Sequence, residues 1–151
     1  MTIHLVAVPE VMLLGRLLFA LYFAEAGLRN VRASSGMIQR MRAQPMYPPF
    51  MRAAPALFIH VSNACLVLGS VSVALGAWGD LGALLLIAFL VPVTLVTYPY
   101  WRTADPAEKR ISRSSFYRNA AHVGACLLLF GAFQGASPLM PALTAPFFTL
   151  R

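Results

Sequence analysis

The sequence predicts an all-α integral membrane protein: a four-helix bundle with a short interfacial helix in its first loop. Three observations carry this. Of 151 residues, 59% are hydrophobic and only 11% charged, whereas a soluble domain of this size exposes many more charges. Four apolar stretches, at about 11–28, 56–78, 81–98 and 116–135, approach the roughly 20 residues that cross about 30 Å of hydrocarbon. Ten of the twelve Lys and Arg residues fall in or beside the segment between the first and second stretches or the one between the third and fourth, an asymmetry typical of membrane topology.

The first stretch, Val11–Leu28, has no basic segment ahead of it and no small-x-small site after it. It reads as a retained helix rather than a cleaved signal. In the loop that follows, Met37, Ile38 and Met41 share one helical face, with Gln39, Arg40 and Arg42 mostly on the other. This predicts a short interfacial helix ended by Pro45, then an extended Pro48-Pro49-Phe50 segment. Pro55 suits the first turn of the second span, where its missing N–H costs nothing. Gly79 and Gly82 flank a very short turn, so the second and third spans are expected as antiparallel neighbours. Pro92 lies inside the third and predicts a kink. The fourth runs from Phe116 to Gly135. Residues 136–151 hold three prolines and two phenylalanines; such a tail cannot be a fifth span and is expected on the outer surface or on a partner subunit. The whole, 1–151, reads as a single membrane domain.

Basic loops stay on the cytoplasmic side. Loops 29–55 and 99–115 are therefore expected in the cytoplasm and both termini outside, in a bacterial inner membrane. The net charge of +7 reads as this topology signal plus contact with anionic membrane lipid. Nucleic acid is excluded as a partner, because the cations flank spans instead of lining a soluble face.

Charges inside a span are costly enough to suggest function. Arg16 and Glu25 are nine residues apart, hence about 900° around a helix, on opposite faces. Glu25 can reach Arg29 at i+4. Arg16 either snorkels outward or faces the interior to hold a carbonyl, carboxylate or ligand; the second reading is favoured. Glu25, His60, Thr94 and His122 sit at a similar depth on four helices. Asn63 lies one turn from His60 and Asn119 one turn from His122. If these faces converge, they form a polar pocket in the inner half of the bilayer. The competing reading is interhelical hydrogen bonding, which glues bundles together. An acid and two imidazoles exceed what gluing needs, which favours a ligand site.

The stretch LLGRLLFALYFAEAGLRNV resembles the first helix of the DoxX family, with its Gly-Arg start and aromatic middle. TLVTYPYWRTADPAEKRISRSSFYRNAAHVGACLLLFG is similar to that family's passage from third to fourth helix. Tyr100-Trp101 fills the place of its aromatic pair, and Arg118-Asn119 that of the basic-Asn pair opening the last helix. The likeness covers roughly residues 11–134. Three positions depart from it. Tyr98 lies where the family often has His, His60 and Asn63 lie where it often has Glu, and Glu25 replaces a small or polar residue.

The resemblance implies a small membrane subunit of a redox complex, anchoring a partner subunit, with quinone as ligand. Glu25, His60, Asn63, Tyr98, Trp101, Asn119, His122 and Arg16 are the candidate site residues. Imidazoles, a buried carboxyl and Tyr or Trp donors suit a quinone head, which needs donors to two carbonyls and a proton route. No covalently bound cofactor and no metal are expected. Haem held by His60 and His122 is disfavoured, since lone membrane histidines more often hydrogen-bond. Cys65 and Cys126 form no CxxC and read as packing residues. No complete catalytic set is present, so the chain is not expected to be an enzyme alone. Two alternatives stand beside this reading: a purely structural accessory subunit, and a small proton-coupled transporter using Glu25.

Overall fold

A computed structural model of the chain describes residues 8–135 and 142–148. Every regular element among them is helical: α1 (Val8–Arg32), α2 (Ser34–Ala43), α3 (Pro49–Ala53), α4 (Pro55–Leu75), α5 (Gly79–Thr97) and α6 (Pro106–Gln134). Helices α1, α4 and α5 are long and apolar enough to cross a membrane. Such helices satisfy their backbone groups internally, as lipid demands. Pro92 lies inside α5, which continues to Thr97.

By the same measure α6 is not a fourth spanning helix, so the expected count of four is not reached on length and apolarity alone. The physical reason is its composite sequence. Asp105 accepts the N–H of Glu108 at 2.7 Å and Pro106 occupies the first turn, a cap and a start that launch the helix well before Phe116. A polar half, Pro106 to Asn119, thus continues into an apolar half that still carries His122 and Gln134.

The first loop departs from expectation in one place. Helix α2 forms as the apolar face predicts, with Met41 buried. The Pro-Pro-Phe segment is not wholly extended: Pro48 is, at ψ 146°, but Pro49 opens the short helix α3. A proline forces its predecessor out of the helical region yet is itself preset for a first turn.

Helix α4 packs on α1 and α5, and α5 packs on α6. The α4–α5 crossing is close because two glycines meet. A Cβ on Gly69 would stand 2.9 Å from the Gly82 carbonyl, and one on Gly82 would stand 2.6 Å from the Ser72 Oγ. Phe23, Leu66, Val73, Leu86, Leu90 and Cys126 form the buried core. No Cα pair within 8 Å joins α1 to α6 among the described residues; long side chains bridge them instead.

The α4–α5 turn is tight. Gly76 closes α4 at φ 67°, a conformation glycine adopts freely. Trp78 stands at φ 49°, unusual for a residue with a side chain. Its N–H donates to the Thr144 hydroxyl at 2.8 Å. The N–H groups of Leu143 and Thr144 donate to the Gly76 carbonyl at 3.1 and 3.4 Å. The described part of the tail therefore folds back on this turn. The rest of the expected tail, 136–141 and 149–151, lies outside the described residues.

Candidate functional site

The expected polar layer divides into separate groups. Asn119 Nδ2 donates to Thr94 Oγ1 at 3.0 Å, and that hydroxyl donates to the Leu90 carbonyl at 2.6 Å. This ties α6 to α5. Asn63 Nδ2 donates to Ser34 Oγ at 3.0 Å, tying α4 to α2. Asn63 is buried while His60, one turn nearer the helix start, is exposed, so of the two only Asn63 reaches the packed interior. Three residues span about 300° of helix, and the remaining 60° carries His60 past the boundary of the packed surface.

Arg16 and Glu25 do lie on opposite faces of α1. Glu25 takes two contacts of 2.9 Å from Arg29 Nη1, and the two side chains are 59% and 64% exposed. This pair lines an open groove of about 490 Å³ with Leu28, Arg32 and Ala33. Glu25 is thus turned away from the bundle interior.

His122 occupies the seam between α6 and α1. Its ring lies 4.9 Å from that of Tyr22, 5.3 Å from Phe23 and 6.4 Å from Phe19, centroid to centroid. Its Nδ1 is buried without a hydrogen-bond partner among the described residues. Such a nitrogen in an aromatic cage is where a polar ligand atom gains most. Tyr98 is half-buried after α5. Trp101 is exposed and packs edge-on against Tyr100 at 5.2 Å and Phe116 at 5.7 Å. Among the described residues, no group of three or more His, Cys, Asp or Glu side chains could hold a metal. Cys65 and Cys126 are both free.

A second cluster lies at the α4–α5 turn, and of its members only the inward-facing Arg16 is among the residues that the sequence singles out. Arg16 is 4% exposed, so it faces the interior, its guanidinium carbon 5.8 Å above the Phe133 ring. Phe133 fills the space beside Gly79, where any Cβ would collide with the ring. Next to Gly79, Asp80 is fully buried. Its Oδ1 accepts the Phe147 N–H at 2.9 Å. Its Oδ2 accepts the Phe148 N–H at 2.8 Å and Gln134 Nε2 at 3.1 Å. The first turn of α5 also favours a negative charge. The signal was present: a lone acid in a very short turn between two apolar helices must be paired or costly. What could not be read was its partner, 67 residues away along the chain.

Compared with protein families, the chain matches the model of the DoxX family over residues 11–99, that is, from α1 to just beyond the end of α5. The match stops short of Tyr100-Trp101 and of Arg118-Asn119. No curated protein and no solved structure matches it.

Proposed function

The chain belongs to the DoxX family, and from that premise we propose that it is a small membrane subunit that anchors a redox partner, with α6 completing a four-helix membrane bundle. Three apolar helices and the family make it an integral membrane protein. The observation that carries the anchoring role is the state of the polar residues. Asn63 and Asn119 are used in helix–helix hydrogen bonds, and Glu25 is paired with Arg29 at the surface. The two asparagines stabilise the bundle, and the three side chains point to separate places. Meanwhile the α1 backbone packs closely on α4 and meets α6 only through long side chains, and Leu14, Leu17, Leu18 and Leu21 along it are 45–65% exposed. That face is the docking surface in this reading. The basic loops face the cytoplasm and the tail the outside.

One observation favours quinone as an additional ligand: the buried, unpartnered His122 Nδ1 beside Tyr22 in the seam between α1 and α6. A quinone head fits that position in part. His122 can hold one carbonyl, but the acid of the expected site, Glu25, is ion-paired elsewhere. Proton-coupled transport through Glu25 is disfavoured by the same pairing.

Purification in mild detergent, followed by mass spectrometry of retained proteins and extracted quinone, tests both levels. A stoichiometric redox partner supports anchoring. Quinone that is retained by the natural chain and lost with His122→Ala supports the seam site. A chain that purifies alone and without quinone rejects the proposal.

A further inference from the structure

At the end of α5 the chain turns sharply through Tyr98-Pro99-Tyr100-Trp101-Arg102 before α6 begins. Four rings close this elbow. Tyr100 lies 5.4 Å from Phe116 and 6.2 Å from Tyr117, Trp101 lies 5.7 Å from Phe116, and Phe116 lies 5.7 Å from Tyr117. The apolar span of α5 stops at Thr97, so these rings stand at the membrane–water boundary, where Trp and Tyr are enriched. Trp101 is 49% and Tyr117 53% exposed.

Cations sit immediately beyond the rings. The Arg113 guanidinium carbon is 5.8 Å above the Tyr117 ring. It lies one helical turn farther from the apolar half of α6, about 6 Å along the axis. Arg102, Lys109 and Arg110 are exposed nearby. Between residues 99 and 119, five cations face two acids, Asp105 and Glu108. Asp105 is engaged in capping α6 through its Oδ2. No carboxylate pairs with any of these cations among the described residues, where Arg29–Glu25 is the only ion pair.

We propose that this elbow is a binding site for the phosphate of an anionic membrane phospholipid. Arg113 and Arg102 hold the headgroup, and the ring cluster supports the glycerol and upper acyl region. Charge complementarity and depth commit the surface to this occupant: phosphates lie just outside the aromatic layer, and each nearby cation strengthens anionic-lipid binding several-fold. The seam at His122 plays no part.

Trp101 fluorescence provides the test, in a Trp78→Phe background with helix content checked by circular dichroism. The protein is placed in vesicles of equal phosphatidylcholine and phosphatidylglycerol, with one or the other lipid brominated. Brominated phosphatidylglycerol is expected to quench Trp101 with roughly thirtyfold higher apparent affinity, the order given by two nearby cations. Arg102→Gln with Arg113→Gln should abolish the difference. Arg52→Gln, a cation of α3, should leave it intact, as should 50 mM inorganic phosphate. Equal quenching by the two lipids would overturn the proposal. So would a preference unchanged by the double substitution. Displacement by inorganic phosphate would show a free-phosphate site and overturn the lipid assignment.

Discussion

Replacing Asp80 by alanine should release the C-terminal segment from the bundle. The carboxylate accepts three donors at 2.8–3.1 Å, two of them successive main-chain amides of the tail. Hydrogen bonds to a charged group contribute roughly 1.5–3 kcal/mol each, so the tail loses about 3–6 kcal/mol. The desolvation of a fully buried carboxylate offsets part of this. A net weakening of about 2–4 kcal/mol remains, which raises the detached fraction roughly 30- to 700-fold at tenfold per 1.4 kcal/mol. Limited proteolysis reads that fraction directly, because cleavage of a transiently opened segment follows its open population. Chymotryptic cutting after Phe147 and Phe148, timed by mass spectrometry, should accelerate at least 30-fold in Asp80→Ala. Asp80→Asn keeps one acceptor oxygen and should fall between. The bonds of Leu143 and Thr144 to Gly76 should keep the upstream part of the tail in place. A cleavage rate within twofold of the natural chain, at unchanged helix content, would refute the role given to Asp80.

Other substitutions test the packing and the polar pairs. Gly82→Val places a Cβ 2.6 Å from Ser72 Oγ and 3.0 Å from the Gly69 carbonyl; unfolding in mixed micelles should show a loss of about 1–3 kcal/mol. Asn119→Leu removes the donor to Thr94 and should cost on the order of 0.6–2 kcal/mol in the same assay. Glu25→Gln breaks a well-exposed pair and should change stability by less than about 0.5 kcal/mol. Tyr100 titrates above the ordinary tyrosine value because it shares a hydrogen bond with Tyr117. Its raised value means that the contact is fully present below a pH of about 10 and is lost as pH rises further. Tyr117→Phe should move the Tyr100 titration down, as followed by NMR of ¹³C-labelled tyrosine.

Local signals carried the fold well. Apolar runs and the Pro55 start located α4, the glycines located the α4–α5 turn, and the 100° helical step put Arg16 and Glu25 on opposite faces of α1. The i+4 pairing of Glu25 with Arg29 also follows from spacing. Two further local signals act in the structure: Asp105-Pro106 starts α6 well before its apolar half, and Pro49 seats α3. The candidate site was far less legible. Depth along a helix follows from counting residues, but rotation about the bundle depends on which helices touch. Asn63 is buried where His60 is exposed, and Glu25 faces outward where His122 lies in the seam. Asp80 shows the same limit from the other side: a lone acid beside a short turn marks a cost, while the tail amides that satisfy it depend on a fold-back that no local pattern encodes.

The claim that α1 docks a redox partner is tested most directly by photocrosslinking in intact membranes. A benzophenone amino acid at Leu18 on α1 is compared with one at Leu68 on α4; both positions are 60% exposed, so lipid access is matched. The account predicts a single crosslinked redox subunit in high yield from Leu18 and only lipid adducts from Leu68. Lipid adducts alone from both positions, or equal protein crosslinks from both, would contradict it.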